Sequence, residues 1–247
     1  MGLIDVDAVS KAFLIPSERR DTVREHVAGL LRPRRFERLQ VLDQISFELR
    51  KGESLGIMGR NGCGKSTLLK IIAGVYMADG GRVVARAPIT PILELGVGWN
   101  PELDAVDNVL LVGSVMGLTL AEIDRQMGSI LAFAELERFS HLQLKHYSSG
   151  MASRLGYAVA FAAVREILIL DEIFAVGDAG FKERCEDRFL ALRRAGHSAI
   201  VVSHSPHVIE EFCERALLLD GGRIVSDGPA RQIASQYVSL LTHRDRT

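Results

Sequence analysis

Short apolar runs alternate along the chain with helix-like stretches, the pattern of strands interleaved with helices. The runs predict strands at residues 3–9, 44–49, 53–58, 82–86, 89–95, 166–170, 198–202, 215–220 and 223–226. Two helix starts follow from local chemistry. Thr119 with Glu122 three residues later forms a capping box, and Pro229 after Gly228 suits a first turn, so helices are expected near 119–134 and 229–241. Asp220, Gly221 and Gly222 predict a tight turn joining the last two strands as a hairpin. The alternation reads as α/β architecture, with no internal repeat, low-complexity tract or long linker.

Composition narrows this further. A chain of 247 residues with 47% hydrophobic and 25% charged positions suits one large folded domain with a substantial core. Thirty basic against 31 acidic residues leave a net charge of −1, so no global field draws the chain to nucleic acid or anionic lipid. No apolar run approaches the roughly 20 residues of a spanning helix, and Met1 to Asp7 carries acids where a signal peptide carries bases. A cytoplasmic chain is expected. Its three cysteines, Cys63, Cys185 and Cys213, are too scattered for a disulfide framework or zinc site.

Residues 16–39 depart from their surroundings, holding seven arginines (19, 20, 24, 32, 34, 35 and 38). With Val23, Val27, Leu30 and Leu31 at helix-like spacing, the segment reads as basic and amphipathic. A solvated surface helix and a membrane-facing one share that pattern.

Chemistry concentrates after the strand ending at Ile57 and Met58. Residues 59–66, GRNGCGKS, satisfy the spacing G-x-x-x-x-G-K-S/T. Gly59, Gly62 and Gly64 permit the turns that aim amide hydrogens, including those of Asn61 and Cys63, at phosphate oxygens, and a helix from Ser66 to Ala73 adds its positive end. Lys65 is suited to neutralise β and γ phosphates and the Ser66 hydroxyl to ligate Mg²⁺, with Thr67 continuing the helix start. Cys63, near that helix N-terminus, is expected to favour its thiolate. Downstream, ILILDE at 167–172 is a buried-looking strand ending in two carboxylates. Asp171 then reaches the metal through water and Glu172 polarises the attacking water. A third strand end, VVSHS, sets His204 at the same sheet edge, to bond the γ phosphate or that water.

YSSGM, Tyr147 to Met151, precedes the 167–172 strand and opens a helix rich in small residues. It resembles the signature of ABC transporter ATPases, in the form found in polysaccharide exporters, and the motifs stand in that family's order over essentially the whole chain. The resemblance implies a P-loop core of the ABC ATPase type with an antiparallel β subdomain and a helical subdomain near residues 100–160, all one domain over 1–247. It also implies ATP and Mg²⁺ as cofactors. Ser148, Ser149 and Gly150 then complete the nucleotide site of the opposite subunit in a homodimer. Asp178, in AVGD, matches the loop that communicates across that dimer, and Phe13 the aromatic residue that stacks on adenine, with Phe36 the competing candidate.

The family's glutamine between phosphate loop and signature is missing from residues 89–100, ITPILELGVGWN. Glu94 is the nearest polar substitute; a carboxylate binds magnesium but cannot donate as an amide does. ELGVGWNPEL again resembles polysaccharide exporters, and the arginine-rich segment resembles the part that these proteins place against the membrane interface. Thr247 follows soon after the terminal helix, where some exporters append a sugar-binding β-domain, so none is expected.

The implied function is ATP hydrolysis driving export of a lipid-linked polysaccharide across a bacterial inner membrane. Its implied partners are a separate polytopic permease and the glycan, without nucleic acid, and its place is the cytoplasmic face of the membrane. The alternatives are another transporter's ATPase, an ABC ATPase acting on nucleic acid or ribosomes, and a regulatory module that rarely hydrolyses. The second usually needs tandem ATPase halves or long coiled coils, which do not fit within 247 residues of nearly neutral charge, and paired carboxylates argue against the third.

Overall fold

A computed structural model describes residues 2–16, 36–93, 98–172 and 178–244. Among the described residues nine strands lie in two sheets. The first is antiparallel, ordered β2-β1-β4, from β1 (Ile4–Pro16), β2 (Phe36–Leu49) and β4 (Gly80–Ala85). The second contains β3 (Ser54–Gly59), β5 (Ile89–Ile92), β6 (Ile167–Asp171), β7 (Ser198–Val202), β8 (Arg215–Asp220) and β9 (Arg223–Pro229). Its order is β5-β6-β7-β3-β8-β9, parallel except for the last pair.

β3 and β7 are buried at every residue, which is why both read as unbroken apolar runs rather than alternating ones. Their side chains nonetheless divide by parity between two cores. Leu55 and Ile57 join Ile200, Val202 and Leu217 beneath α1 (Lys65–Ile72). Met58, Ala199, Val201 and Leu218 face the opposite side, against α5 (Ala179–Arg194), α6 (Pro206–Phe212) and α7 (Ala230–Arg244). A third core joins α2 (Ala105–Val115), α3 (Leu120–Ala134) and α4 (Ser149–Ala162) through Val109, Ile123, Ile130 and Leu155.

The expected capping box is present: Thr119 Oγ1 accepts from Glu122 N, and the Glu122 carboxylate accepts from Thr119 N at 2.7 Å. So is the terminal hairpin, whose turn uses Gly221 and Gly222 at φ 54° and 78°. Gly222 also needs to be bare, since a Cβ there would come within 2.5 Å of the Val41 carbonyl oxygen.

Two expectations are corrected. β1 and β2 run well beyond residues 3–9 and 44–49, as a long hairpin in which Pro16 pairs with Phe36. Residues 36–39, at the end of the arginine-rich segment, are therefore strand rather than helix; residues 17–35 lie outside the described residues. The extension is held by pairing, not by burial of its own side chains, because Phe36 to Gln40 are all exposed.

Candidate functional site at the carboxyl edge of the parallel sheet

Three adjacent strands deliver the site. β6, β7 and β3 are neighbours, and their carboxyl ends present Asp171, the His204 loop and the phosphate loop side by side. Open parallel sheets place ligands at this edge because the loops leaving the strands converge there.

The phosphate loop is shaped by its glycines and by what lies beneath it. Gly64 has φ 106°, and a Cβ on it would fall 2.6 Å from Leu42 Cδ2 and 2.8 Å from the Val41 carbonyl oxygen. Any other residue is thus excluded by both torsion and space. Asn61, Gly62, Gly64, Lys65, Ser66 and Thr67, with Val41 from β2, line a cavity of about 280 Å³. Lys65 is buried, and its ammonium donates to the carbonyls of Gly59 at 2.7 Å and Arg60 at 3.0 Å. Among the described residues no carboxylate pairs with Lys65, so its donors are held by neutral carbonyls that an anion can displace.

Cys63 belongs to the floor of this loop, packed in the core beneath α1. The expectation of a favoured thiolate is overturned: burial pushes the thiol up, outweighing the opposing pull of Lys65. Proximity to a helix N-terminus does not compensate for removal from water.

Asp171 and Glu172 diverge as two roles require. Ser66 Oγ donates to Asp171 Oδ2 at 3.0 Å, closing a hydroxyl–carboxylate pair between α1 and β6. Glu172 turns away, at φ 57°, with its amide donating to the Val202 carbonyl at 3.0 Å. A left-handed glutamate is strained, which is common where a backbone aims one side chain at a reaction centre. Glu172 Oε1 is shielded from solvent and has no aligned hydrogen bond; its polar neighbour is His204 Nε2, 3.3 Å away. The other ring nitrogen, Nδ1, lies 3.2 Å from the Tyr237 hydroxyl on α7.

The remaining candidates stand apart from this cluster. Ser148 caps α4, its hydroxyl accepting from Met151 N at 3.2 Å, while Ser148 and Ser149 are exposed and Gly150 half-buried. Asp178 caps α5 by accepting from Phe181 N at 2.9 Å, and that bond holds its carboxyl below the usual range. Among the described residues no hydrogen bond or ion pair joins 148–150 or Asp178 to the phosphate loop. Phe13 sits on the β1–β2 hairpin, edge-on to Tyr76 at 6.0 Å between ring centroids, and Tyr76 in turn lies under Lys70 of α1. Phe36 lies at the far end of that hairpin, opposite Pro16. Glu94 lies outside the described residues. Sequence reasoning missed Tyr237, which sits in no motif and reaches His204 through the packing of α7.

Comparison with known proteins agrees with this geometry. The ABC transporter family model matches residues 42–175. The ABC transporter protein AbcA of Aeromonas salmonicida is 38% identical over 202 residues, covering 82% of this chain and 66% of that protein. The O-antigen export system ATP-binding protein RfbB of Myxococcus xanthus is 35% identical, covering 96% of this chain and 57% of its own length. The chain therefore spans less than two thirds of either relative. Among solved structures, the ATP-binding cassette MJ0796, dimeric and bound to ADP and Pi in a post-hydrolysis state, superposes with a TM-score of 0.72 at 22% identity, over 92% of this chain and 99% of that one. With the phosphate loop, paired carboxylates and histidine assembled on this sheet, the chain belongs to the ABC transporter family of ATP-binding proteins.

Proposed function

We propose that this chain is the ATP-hydrolysing subunit that powers export of a lipid-linked polysaccharide across a bacterial inner membrane. In this reading it works as a homodimer on the cytoplasmic face, beside a separate polytopic permease. The observation that carries the hydrolytic part is the division of labour between Asp171, bonded to Ser66, and Glu172, whose Oε1 is shielded and unspent beside His204. The export part draws support from the Myxococcus relative, which is named for O-antigen export.

Phosphate binding falls to the amides of the loop and to Lys65, which exchanges two carbonyl contacts for the β and γ oxygens. Magnesium, when bound, neutralises phosphate charge, and a hydroxyl with a carboxylate is an oxygen donor set of the kind that hard ion takes while keeping several waters. Glu172 then accepts the proton of the attacking water, and His204, presenting its Nε2 side to the same space, donates toward the γ phosphate. Ser148, Ser149, Gly150 and Asp178 lie away from their own phosphate loop on exposed helix starts, which suits contact with the nucleotide of an opposite subunit. Among the described residues no helix is long and apolar enough to cross a membrane.

The test is Glu172→Gln in the purified chain with MgATP. Hydrolysis should fall at least about 100-fold, the usual contribution of a positioned base, while ATP binding persists and ATP-dependent dimers accumulate. Retained turnover would remove Glu172 from its role. Purification from native membranes should recover a polytopic permease; recovery with ribosomes or nucleic acid instead would overturn the export reading.

A further inference from the structure

We propose that Tyr237 is a positioning residue for ATP hydrolysis, its hydroxyl donating to His204 Nδ1 and so holding the ring proton on Nε2, where it faces Glu172. The inference rests on the assignment of His204 to the hydrolytic site. Its geometry comes from two contacts on one imidazole: Nδ1 to the Tyr237 hydroxyl at 3.2 Å and Nε2 to Glu172 Oε1 at 3.3 Å.

The neutral ring has one donor and one acceptor, so these contacts are not independent. An acceptor nitrogen turned toward a carboxylate would be repelled, which places the proton on Nε2. Nδ1 is then the acceptor, and the group beside it must donate. A tyrosine hydroxyl does so; a phenylalanine in the same place could not. Burial also pushes the Tyr237 phenol up, which keeps its proton in place through the working pH range.

Tyr237 is held too firmly to be an incidental contact. Ala230, Ile233, Ala234 and Tyr237 form the buried stripe of α7, one residue per turn face, packed in the same core as Met58 and Leu218. The phenol ring is therefore fixed by apolar packing, while its oxygen alone reaches the site. A buried hydroxyl costs desolvation unless it is bonded, and this one bonds to His204. Through it the terminal helix contributes to the reaction centre: a shift of α7 would free the imidazole to rotate or change tautomer.

Tyr237→Phe keeps the ring and removes only the donor, so it tests the bond with little effect on the core. In the purified full chain with MgATP, turnover should drop by about tenfold, the equivalent of one hydrogen bond, with KM for ATP unchanged. Introduced into His204→Ala, the same substitution should have no further effect. Nitrogen-15 NMR of histidine-labelled protein, with His204 identified by its absence in His204→Ala, should show the Nε2–H tautomer in the wild type and a mixture in Tyr237→Phe. Wild-type turnover in Tyr237→Phe, an additive loss in the double variant, or a doubly protonated ring in the wild type overturns the proposal. Full activity in His204→Ala alone would overturn it through its premise, and the tautomer spectrum separates that failure from a failure of the tyrosine contact.

Discussion

Cys185 and Cys213 lie in the same core as Tyr157 and Phe181, and burial pushes both thiols from 9.0 up to about 12. Between those values the folded state holds protons that the unfolded chain releases, so the slope of unfolding free energy with pH is negative. Stability contributed by the two thiols is complete below pH 9 and declines as pH climbs toward 12. Urea midpoints measured at about pH 8 and about pH 10.5 should therefore differ less in Cys185→Ala than in the parent, whatever the variant's absolute stability. Cys63 shares the direction of the shift, and iodoacetamide near neutral pH should leave all three thiols of the native protein unlabelled; fast labelling of Cys63 alone would contradict its burial. The phosphate-loop residues were legible in sequence because spacing within one octapeptide carries their chemistry. Cys63 was misread for the opposite reason: its state depends on the β2 and β8 residues beneath it, which no local pattern names.

Helix α3 shows how a single element can be read from its start. Thr119 and Glu122 satisfy each other's backbone donors, and the bond from Thr119 N holds the Glu122 carboxyl below its usual range. A depressed carboxylate stabilises the fold above its unfolded pKa, and that contribution is lost as pH falls through the folded value. Thr119→Ala should cost about 1 kcal/mol, seen as a lower urea midpoint at neutral pH. Glu122→Gln should flatten the acid limb of the stability profile; an unchanged limb would show that the cap's charge is idle. Strands divide by burial rather than by length. β3, β6 and β7 were readable because both of their faces are covered, whereas the exposed stretch from Phe36 to Gln40 has no apolar alternation to read. Its strand conformation comes from β1, with irregular register where Ala8 and Gln44 adopt φ 49° and 52°.

At the scale of the molecule, two of the cores among the described residues lie on opposite faces of the parallel sheet, and that sheet is not assembled in chain order. β3, the strand that leads into the phosphate loop, is flanked by β7 and β8: Leu55 pairs with Ile200 on one side and Arg215 on the other. Such long-range parallel pairing makes folding slow, on the order of milliseconds to seconds once the whole chain is present. A stopped-flow refolding experiment should find a main phase in that range, and a microsecond phase carrying most of the amplitude would be inconsistent with this topology. A ribosome meets the same geometry as a delay. Leu55 emerges long before either strand that will flank it has been translated, and at ordinary elongation rates the interval is on the order of ten seconds. During that time the apolar segment from Ser54 to Met58 is a bare β-strand with both edges open, the feature that chaperones bind and aggregates recruit. Nascent chains stalled before Arg215 should therefore be captured by chaperones or digested by protease, whereas released chains that include α7 should resist both.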